Sequence, residues 1–559
     1  MTAFDWGGRL VPYPADSAAA YRASGEWSDH PTGRRLHESA GRYPNRTAVI
    51  TAEGSLTYRE LDERTDQIAA AFGARGLRPN DPVIFQATNR LATVLAWYGC
   101  LKAGLIPVAT LAQHRMHEIE HIAGRVSAVA HIVEVGLSFD LVGFAREVAA
   151  QQPTMAHLFT VREPDGASGA ERIEDLGADI DPALARTFVE EVEAGIDPAD
   201  IVAFQLSGGT TGVPKVIPRI HAEYWNNGLL YARALGWTEE SRVGHLIPII
   251  HNAGISCALH AAHSVGAALV LANPEHVAAF ALMADAEVSE LLIGHGHYRA
   301  VQSKDFDPLL ATLRRVVLSG AKVSADLFAR VDGHGDRWAG QMFGMSEGMF
   351  TVSPLDSPAD FRSSTVGWCI APSDEIRILD PGTEDQVPDG EVGELCCRGP
   401  YTIRGYFDAP DHNASAFTSD GFYRTGDLAT VRPDGARPNL SIEGRIKDLI
   451  NRGGEKVNAE EVEVLLMRHS GIAAAAVVAM PDERLGEKAC AFLVADDTGV
   501  ELSMERVQAH LDSLGVAKFK WPEKLVWLAD LPTTNVGKVN KKSLRADAVA
   551  MLHEEGVLS

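Results

Sequence analysis

The sequence predicts an α/β fold, with a large N-terminal domain of βαβ units and a smaller α+β domain after it. Three observations predict it. From residue 47 short apolar runs alternate with helical patterns, the same rhythm returns after residue 201, and beyond residue 374 it gives way to hairpins and a compact mixed unit. Strands separated by helices form parallel sheet, since a crossover helix is what returns the chain in the same direction. At 559 residues the chain also exceeds what one hydrophobic core organises.

In chain order, the apolar run 48–51 reads as a strand, 58–75 as a helix, 82–87 as a strand, 91–104 as a helix and 106–110 as a strand. Buried strands are then expected at 243–250, 267–272, 291–293 and 316–319, each followed by a helical pattern. Region 374–398 reads as a hairpin, with turn residues at Pro381-Gly382 and Asp389-Gly390. From residue 448 the expected order is helix 459–469, strands 472–480 and 488–494, helix 504–514 and strand 524–528. The alanine run 473–476 fits a tightly packed strand, and Cys396-Cys397 a buried one. No internal repeat is evident.

Apolar residues make up 46% and charged residues 23% of the chain, the balance of a soluble globular protein. A net charge of −24 argues against nucleic acid or an anionic membrane as the main partner, because both reward clustered Lys and Arg. Cys100, Cys257, Cys369, Cys396, Cys397 and Cys490 show neither metal-ligand nor disulfide-framework spacing, which fits a reducing cytoplasm. Residues 1–27 are polar and contain Pro12 and Pro14, so neither a signal peptide nor a membrane helix is expected.

Ser207-Gly208-Gly209-Thr210-Thr211-Gly212-Val213-Pro214-Lys215 follows the apolar run 201–206 and concentrates hydroxyls, glycines and one cation. Such a loop suits phosphates. Glycines let backbone N–H groups turn toward an anion without a Cβ penalty, hydroxyls add donors, and Lys215 supplies a point charge. It is not a Walker A loop, which ends Gly-Lys-Ser/Thr and opens a helix. A solvent-exposed turn is the bland alternative, and the density of the cluster after a buried strand disfavours it. In so acidic a chain, an anionic ligand such as ATP needs local cations and a metal ion.

Four more clusters follow: Gln341-Met342-Phe343-Gly344-Met345-Ser346-Glu347-Gly348; Tyr423-Arg424-Thr425-Gly426-Asp427; Gly444-Arg445-Ile446-Lys447-Asp448, running on to Asn451-Arg452-Gly453-Gly454-Glu455-Lys456; and Gly537-Lys538. In this order and spacing the five resemble the adenylate-forming superfamily of acyl-CoA synthetases, nonribosomal adenylation domains and luciferases. The likeness spans nearly the whole chain and is greatest to the stand-alone 2,3-dihydroxybenzoate or salicylate AMP ligases. Arg398-Gly399-Pro400-Tyr401-Thr402, His412-Asn413-Ala414-Ser415-Ala416-Phe417 and His251-Asn252 carry that finer resemblance. It implies the adenylate-forming fold, with an N-terminal domain over 1–446 and a mobile C-terminal domain over 447–559. The implied cofactors are ATP and Mg2+.

The resemblance also implies roles. Ser207, Gly208, Gly209, Thr210, Thr211 and Lys215 would hold phosphates. Gly320, Ala321, Met342 and Gly344 match the slot that grips adenine, where small residues permit close approach. Asp427 would accept the ribose hydroxyls; by its residues alone, a helix cap is the alternative. Ser346 and Arg445 would contact the nucleotide, Glu347 would hold Mg2+ against the phosphates, and Lys447 matches the hinge. Lys538, on a polar loop with a glycine beside it, matches the catalytic lysine. When a carboxylate attacks an α-phosphate two anions meet, and a lysine between them offsets the repulsion. Gly454 would flank the pantetheine channel.

For the acyl pocket, His251 resembles a residue that shifts between the two half-reactions, and Asn252 the amide that bonds an ortho hydroxyl of an aryl acid. An amide both donates and accepts, so an ortho amino group would also be satisfied. Ala253 stands where dihydroxybenzoate enzymes carry tyrosine, and Cys257 where they carry serine; Ala321 also belongs to this wall. Gly294-His295-Gly296-His297 replaces a usual proline pair, and Ser319 a usual glycine. These departures point to a bulkier or differently substituted acid. His295 and His297 invite a zinc reading, as alternate residues of a strand share a face, but no Cys or carboxylate completes a site. One is expected to line the pocket and the other to pack. The implied partners are an aryl carboxylic acid and a phosphopantetheinylated carrier protein in trans, or CoA, as acceptor; nothing after residue 541 is long enough for a carrier domain.

Overall fold

The computed structural model describes residues 3–164, 166–207, 214–273, 275–333, 337–433, 437–452, 455–482, 484–496, 498–534 and 538–554. Two large sheets organise the first three-quarters of the chain. One has nine strands, in the order Trp368–Cys369, Phe350–Val352, Trp338–Gly344, Arg315–Ser319, Glu290–Gly294, Arg242–His245, Ala268–Leu271, Thr47–Thr51 and Gly54–Thr57. Its six central strands are parallel, and the two added at one edge and the one at the other each pair antiparallel with the strand before them. The second has seven, in the order Glu171–Arg172, His157–Val161, Ala130–Glu134, Pro82–Gln86, Ile106–Val108, Ile201–Leu206 and Val216–Ile220, with only the last antiparallel.

Helices Tyr58–Ala74, Leu91–Lys102 and His221–Ala234 lie between the sheets, in one core that takes Val83 and Phe85 from one sheet and Val243, Leu269 and Val317 from the other. This placement explains why 91–102 reads as apolar all round: every residue from Ala92 to Lys102 is buried. Its last residue, Lys102, is buried among Asp62 and Asp66 of helix Tyr58–Ala74, with Nζ at 2.6 and 2.5 Å. Removing one partner of such a pair strands a charge in a dry core, so the ions fix how the two helices meet. Thr57 and Glu60 start that helix as a reciprocal capping box.

An antiparallel sheet of Glu375–Leu379, Gly393–Arg398, Tyr423–Val431 and Leu440–Arg445 follows. Cys396 and Cys397 are buried in its second strand, and Gly382 and Gly390 take positive φ at the two expected turns. The last unit pairs Glu455–Asn458, Leu449–Arg452, Gly486–Ala495 and Ile472–Asp482, with Lys524–Trp527 parallel to Gly486–Ala495. Helices Ala459–Leu466, Met504–Ser513 and Lys541–Glu554 accompany it, and its cores share no residue with those before it. The fold is thus the expected α/β arrangement of a large and a small part. No helix among the described residues is long and apolar enough to cross a membrane.

Two expectations need correction. The strand expected over 243–250 ends at His245, and Asn89 holds the loop after it, donating to the carbonyls of Leu246, Ile247 and Ala272 and accepting from Ile249 N–H at 2.7 Å. Loop backbone satisfied this way needs no strand partner, so an apolar run alone misleads. His295–His297 form a 3-10 turn after strand Glu290–Gly294, so the two histidines do not share a strand face. No cluster of metal-binding side chains occurs among the described residues. The start of the chain holds a helix, Ala15–Ala23, that the sequence reading left unassigned.

Candidate active site

Ligands of open α/β sheets gather at the carboxyl ends of the parallel strands. His251 and Asn252 lie beyond Arg242–His245, Gly320 and Ala321 beyond Arg315–Ser319, and Ser346 and Glu347 beyond Trp338–Gly344. Ser207 ends strand Ile201–Leu206 of the other sheet, which makes an antiparallel pair with Val216–Ile220. The phosphate-type loop therefore joins two antiparallel strands. Its neck is closed by Ser207 N–H donating to the Lys215 carbonyl and Lys215 N–H donating to Ser207 Oγ, both at 3.0 Å. The Ser207 hydroxyl keeps its own proton to donate. Gly208, Gly209, Thr210, Thr211 and Gly454 lie outside the described residues.

Glu347 is buried, and its Oε1 accepts from Tyr406 OH at 2.7 Å. Lys215 Nζ stands 5.1 Å from the Tyr406 ring centre, and burial holds its ammonium below the ordinary lysine value although Glu347 pulls the other way. One buried carboxylate beside a phosphate-type loop fits Mg2+, which takes one or two carboxylates and completes its shell with substrate oxygens. Ser346 presents its carbonyl to Nη1 of the fully buried Arg219 at 3.1 Å, and Arg219 is ion-paired with Glu223. Arg219 thus ties the strand after the phosphate-type loop to the segment carrying Glu347.

Asp427 sits in strand Tyr423–Val431, not at a helix start, so the capping alternative falls away. Arg445 lies opposite it across the sheet and donates Nε–H to its Oδ1 at 3.0 Å. Burial raises the Asp427 pKa, while Arg445, Lys538 and Lys447 lower it. Burial and Arg445 hold Lys538 below the ordinary lysine value; Asp427 and Glu347 oppose this and Lys447 adds to it. The Lys538 residue is itself exposed, so the lowering comes from protein crowded around it rather than from a closed cover. The C-terminal lysine is thus close enough to Asp427 and Glu347 to feel their charges. Burial lowers the Lys447 pKa also, and Arg445 adds to it.

Gly320, with φ +98, and Ala321 are exposed, as an adenine slot requires. Tyr298 OH donates to the Ser319 carbonyl at 3.1 Å and steadies this edge. Met342 is buried, and Gly344 is exposed; a Cβ on Gly344 would stand 2.5 Å from Phe350, so its small size also serves that ring. His251 Nδ1 accepts from Ala253 N–H at 3.2 Å, which leaves the proton on Nε2. Burial and Lys538 push its imidazole down to about 4, so it is neutral near pH 7. Asn252 is buried and Ala253 half-buried. Cys257 is fully buried on a π-helical segment, Ile255–His260, within the large core. His295 and His297 are both half-buried.

Sequence reasoning missed Arg219, Tyr406, Tyr224 and Gln205. A charge inside the short run Val216–Ile220 was the available signal for Arg219, because a buried strand carries a charge only with a partner. The tyrosines meet the site across long chain separations and leave no local pattern.

Candidate residues gathered at the strand ends, a phosphate-type loop between two antiparallel strands and a lysine from the C-terminal unit are the arrangement of a nucleotide-dependent, adenylate-forming enzyme. The chain belongs to the AMP-binding enzyme family: the model of that family matches residues 36–407, and that of the AMP-binding enzyme C-terminal domain matches residues 461–538. It is similar to a salicylyl-CoA synthase / salicylate adenylyltransferase of a Streptomyces species, 37% identical over 96% of this chain and 97% of that protein. The 2,3-dihydroxybenzoate-AMP ligase of Bacillus subtilis is 35% identical over 96% and 97%. Among solved structures, the apo structure of MbtA from Mycobacterium smegmatis is 36% identical with a TM-score of 0.71, covering 96% of this chain and 98% of that one.

Proposed function

We propose that this protein activates an aryl carboxylic acid with ATP and then transfers the acyl group to a phosphopantetheine thiol on a separate carrier protein. The Asp427–Arg445 pair with Lys538 and Glu347 near enough to feel one another's charges carries the reading, because acyl-AMP formation needs a cation where two anions meet. A carboxylate oxygen bonds to the α-phosphorus and the bond to pyrophosphate breaks; the thiol sulfur then bonds to the acyl carbon, the acyl–AMP bond breaks so that AMP leaves, and the thiol proton is released. Lys538 offsets the anionic repulsion, Asp427 and Arg445 position the ribose side, and Ser207 and Lys215 hold phosphate. Glu347 would hold Mg2+, which supplies further charge against the phosphates. His251 gates the two half-reactions, and the unit 447–559 turns about Lys447 between them, bringing Gly454 to the thiol path. The named relatives that act on salicylate and 2,3-dihydroxybenzoate support the aryl-acid class. The cellular site we assign is the cytoplasm.

ATP–pyrophosphate exchange over benzoates, salicylates, anthranilates, picolinates and quinaldates tests this, and no exchange with any of them would leave a silent nucleotide-binding protein. A second reading, an aryl-CoA ligase, rests on the relative named a salicylyl-CoA synthase. Thioester formation with free CoA at the carrier-protein rate decides for it. Gly454→Leu is expected to spare exchange and block thioester formation, since a side chain there occludes the thiol; equal loss of both half-reactions contradicts the assigned channel.

Pocket residues are tested by substrate shape. Ala253→Tyr is expected to favour small salicylate-like acids and to reject the native one by roughly tenfold to a hundredfold in kcat/KM, since overfilling a formed pocket is a steric cost. Unchanged preference across ring sizes removes Ala253 from the pocket wall.

A further inference from the structure

An amide in a dry pocket wall can present either its oxygen or its N–H edge, and the hydrogen bonds around Asn252 decide which. Gln205 Nε2 donates to the Ile250 carbonyl at 3.1 Å and to Tyr224 OH at 2.8 Å. A backbone carbonyl only accepts, so Gln205 must turn its nitrogen this way, and Tyr224 receives a proton from it. The hydroxyl proton of Tyr224 then goes to its other neighbour, Asn252 Oδ1, at 3.1 Å. Ser256 Oγ also donates to that oxygen, at 3.4 Å. On the far side, Asn252 Nδ2 donates to the Met345 carbonyl at 3.4 Å; a flipped amide would set two oxygens against each other there. Two backbone carbonyls thus anchor both ends of a chain of bonds that runs in one direction. Gln205, Tyr224 and Asn252 are all buried, so water does not substitute for any link.

We infer that Gln205 and Tyr224 are positioning residues that lock the Asn252 amide with its oxygen spent on Tyr224 and its N–H edge on the Met345–Glu347 side. The acyl pocket therefore selects an aryl acid with an ortho hydrogen-bond acceptor, a hydroxyl oxygen or a ring nitrogen, over one with an ortho amino group. The inference rests on the aryl-acid reading and on Asn252 facing the acid. It narrows the sequence expectation that an ortho amine would be equally satisfied. An amine brings N–H against N–H, and its own lone pair, drawn into the ring, is a poor acceptor.

Matched acids differing only in the ortho group test it: 2-hydroxy- against 2-aminobenzoate, and 3-hydroxy- against 3-amino-2-naphthoate, by pyrophosphate exchange. The wild-type protein should favour the hydroxy member of whichever pair it accepts by tenfold or more in kcat/KM. Tyr224→Phe leaves the amide orientation to the two 3.4 Å contacts with Met345 and Ser256 alone and should bring that ratio within about threefold, whereas a purely structural defect lowers both members alike. A wild-type preference for the amino acid, or an unchanged ratio in a folded Tyr224→Phe protein, overturns the inference while leaving aryl-acid activation standing. If Tyr224→Phe fails to fold, the wild-type ratio alone decides. No exchange with any aryl acid removes the proposed activity, and this inference with it.

Discussion

Replacing Lys538 with alanine is expected to lower pyrophosphate exchange about a hundredfold to a thousandfold while nucleotide affinity stays within about threefold. The size is that of removing one preorganised donor from a developing anionic charge. Affinity survives because the groups proposed to hold the nucleotide, Ser207, Lys215, Asp427 and Arg445, all belong to the chain before residue 446. Thioester formation from pre-formed acyl-AMP should suffer less, since that step no longer brings the carboxylate to the phosphate. A pH profile separates the cation from mere bulk. Burial and Arg445 lower the Lys538 pKa below 10.5, and a lysine is cationic only below its pKa. Activity should therefore fall on the alkaline side in a limb placed below 10.5, and Lys538→Arg should move that limb upward. Exchange near the wild-type level in Lys538→Ala, measured at saturating ATP, contradicts the assignment.

The sequence exposed those parts of the fold and site that are local in the chain. Alternating apolar runs located part of each large sheet, such as 82–87 and 106–110 in one and 267–272 and 316–319 in the other, because strands buried on both faces read as continuous apolar segments, but not Ala130–Glu134, His157–Val161 or Trp338–Gly344. The loop 207–215 and the Gly344–Glu347 segment announce themselves through glycines and hydroxyls that a plain core would not carry. What the sequence hid depends on distant partners. Tyr406 meets Glu347 from 59 residues away, and Arg219 meets Ser346 from 127 away. Strand ends were hidden for the same reason: 246–250 is more apolar than strand Arg242–His245 itself, yet it is a loop whose backbone Asn89 holds from far away in the chain. The orientation of Asn252 is the sharpest case. Its identity was visible as a candidate, but its hydrogen-bond polarity is set by carbonyls of Ile250 and Met345 that no motif encodes.

Gly348→Ala should be nearly as damaging as loss of the lysine, although it adds one methyl group and touches no substrate. Gly348 has φ +149, a conformation L side chains rarely adopt, and a Cβ there would lie 1.9 Å from the Tyr401 carbonyl oxygen and 2.5 Å from Thr402 Cα. Both obstacles are backbone, so no rotamer change relieves them. The 400–402 segment cannot retreat either. Trp27 Nε1–H donates to the Pro400 carbonyl at 2.8 Å, Tyr401 OH to the Glu26 carbonyl at 2.9 Å and Tyr13 OH to the Thr402 carbonyl at 2.9 Å. The N-terminal stretch thus braces the wall behind the glycine, and the segment carrying Glu347 must move instead. That segment is held by Ile403 N–H on the Glu347 carbonyl at 2.8 Å and by Tyr406 on its carboxylate, so the shift breaks contacts that aim the carboxylate proposed to hold Mg2+. Strain and lost bonds together should cost about 2–4 kcal/mol of stability. Exchange should fall about a hundredfold, with the Mg2+ concentration for half-maximal rate raised. Thermal melts and a Mg2+ titration of exchange measure both, and a variant that keeps exchange within threefold at the wild-type Mg2+ requirement shows that Gly348 does not set the position of Glu347.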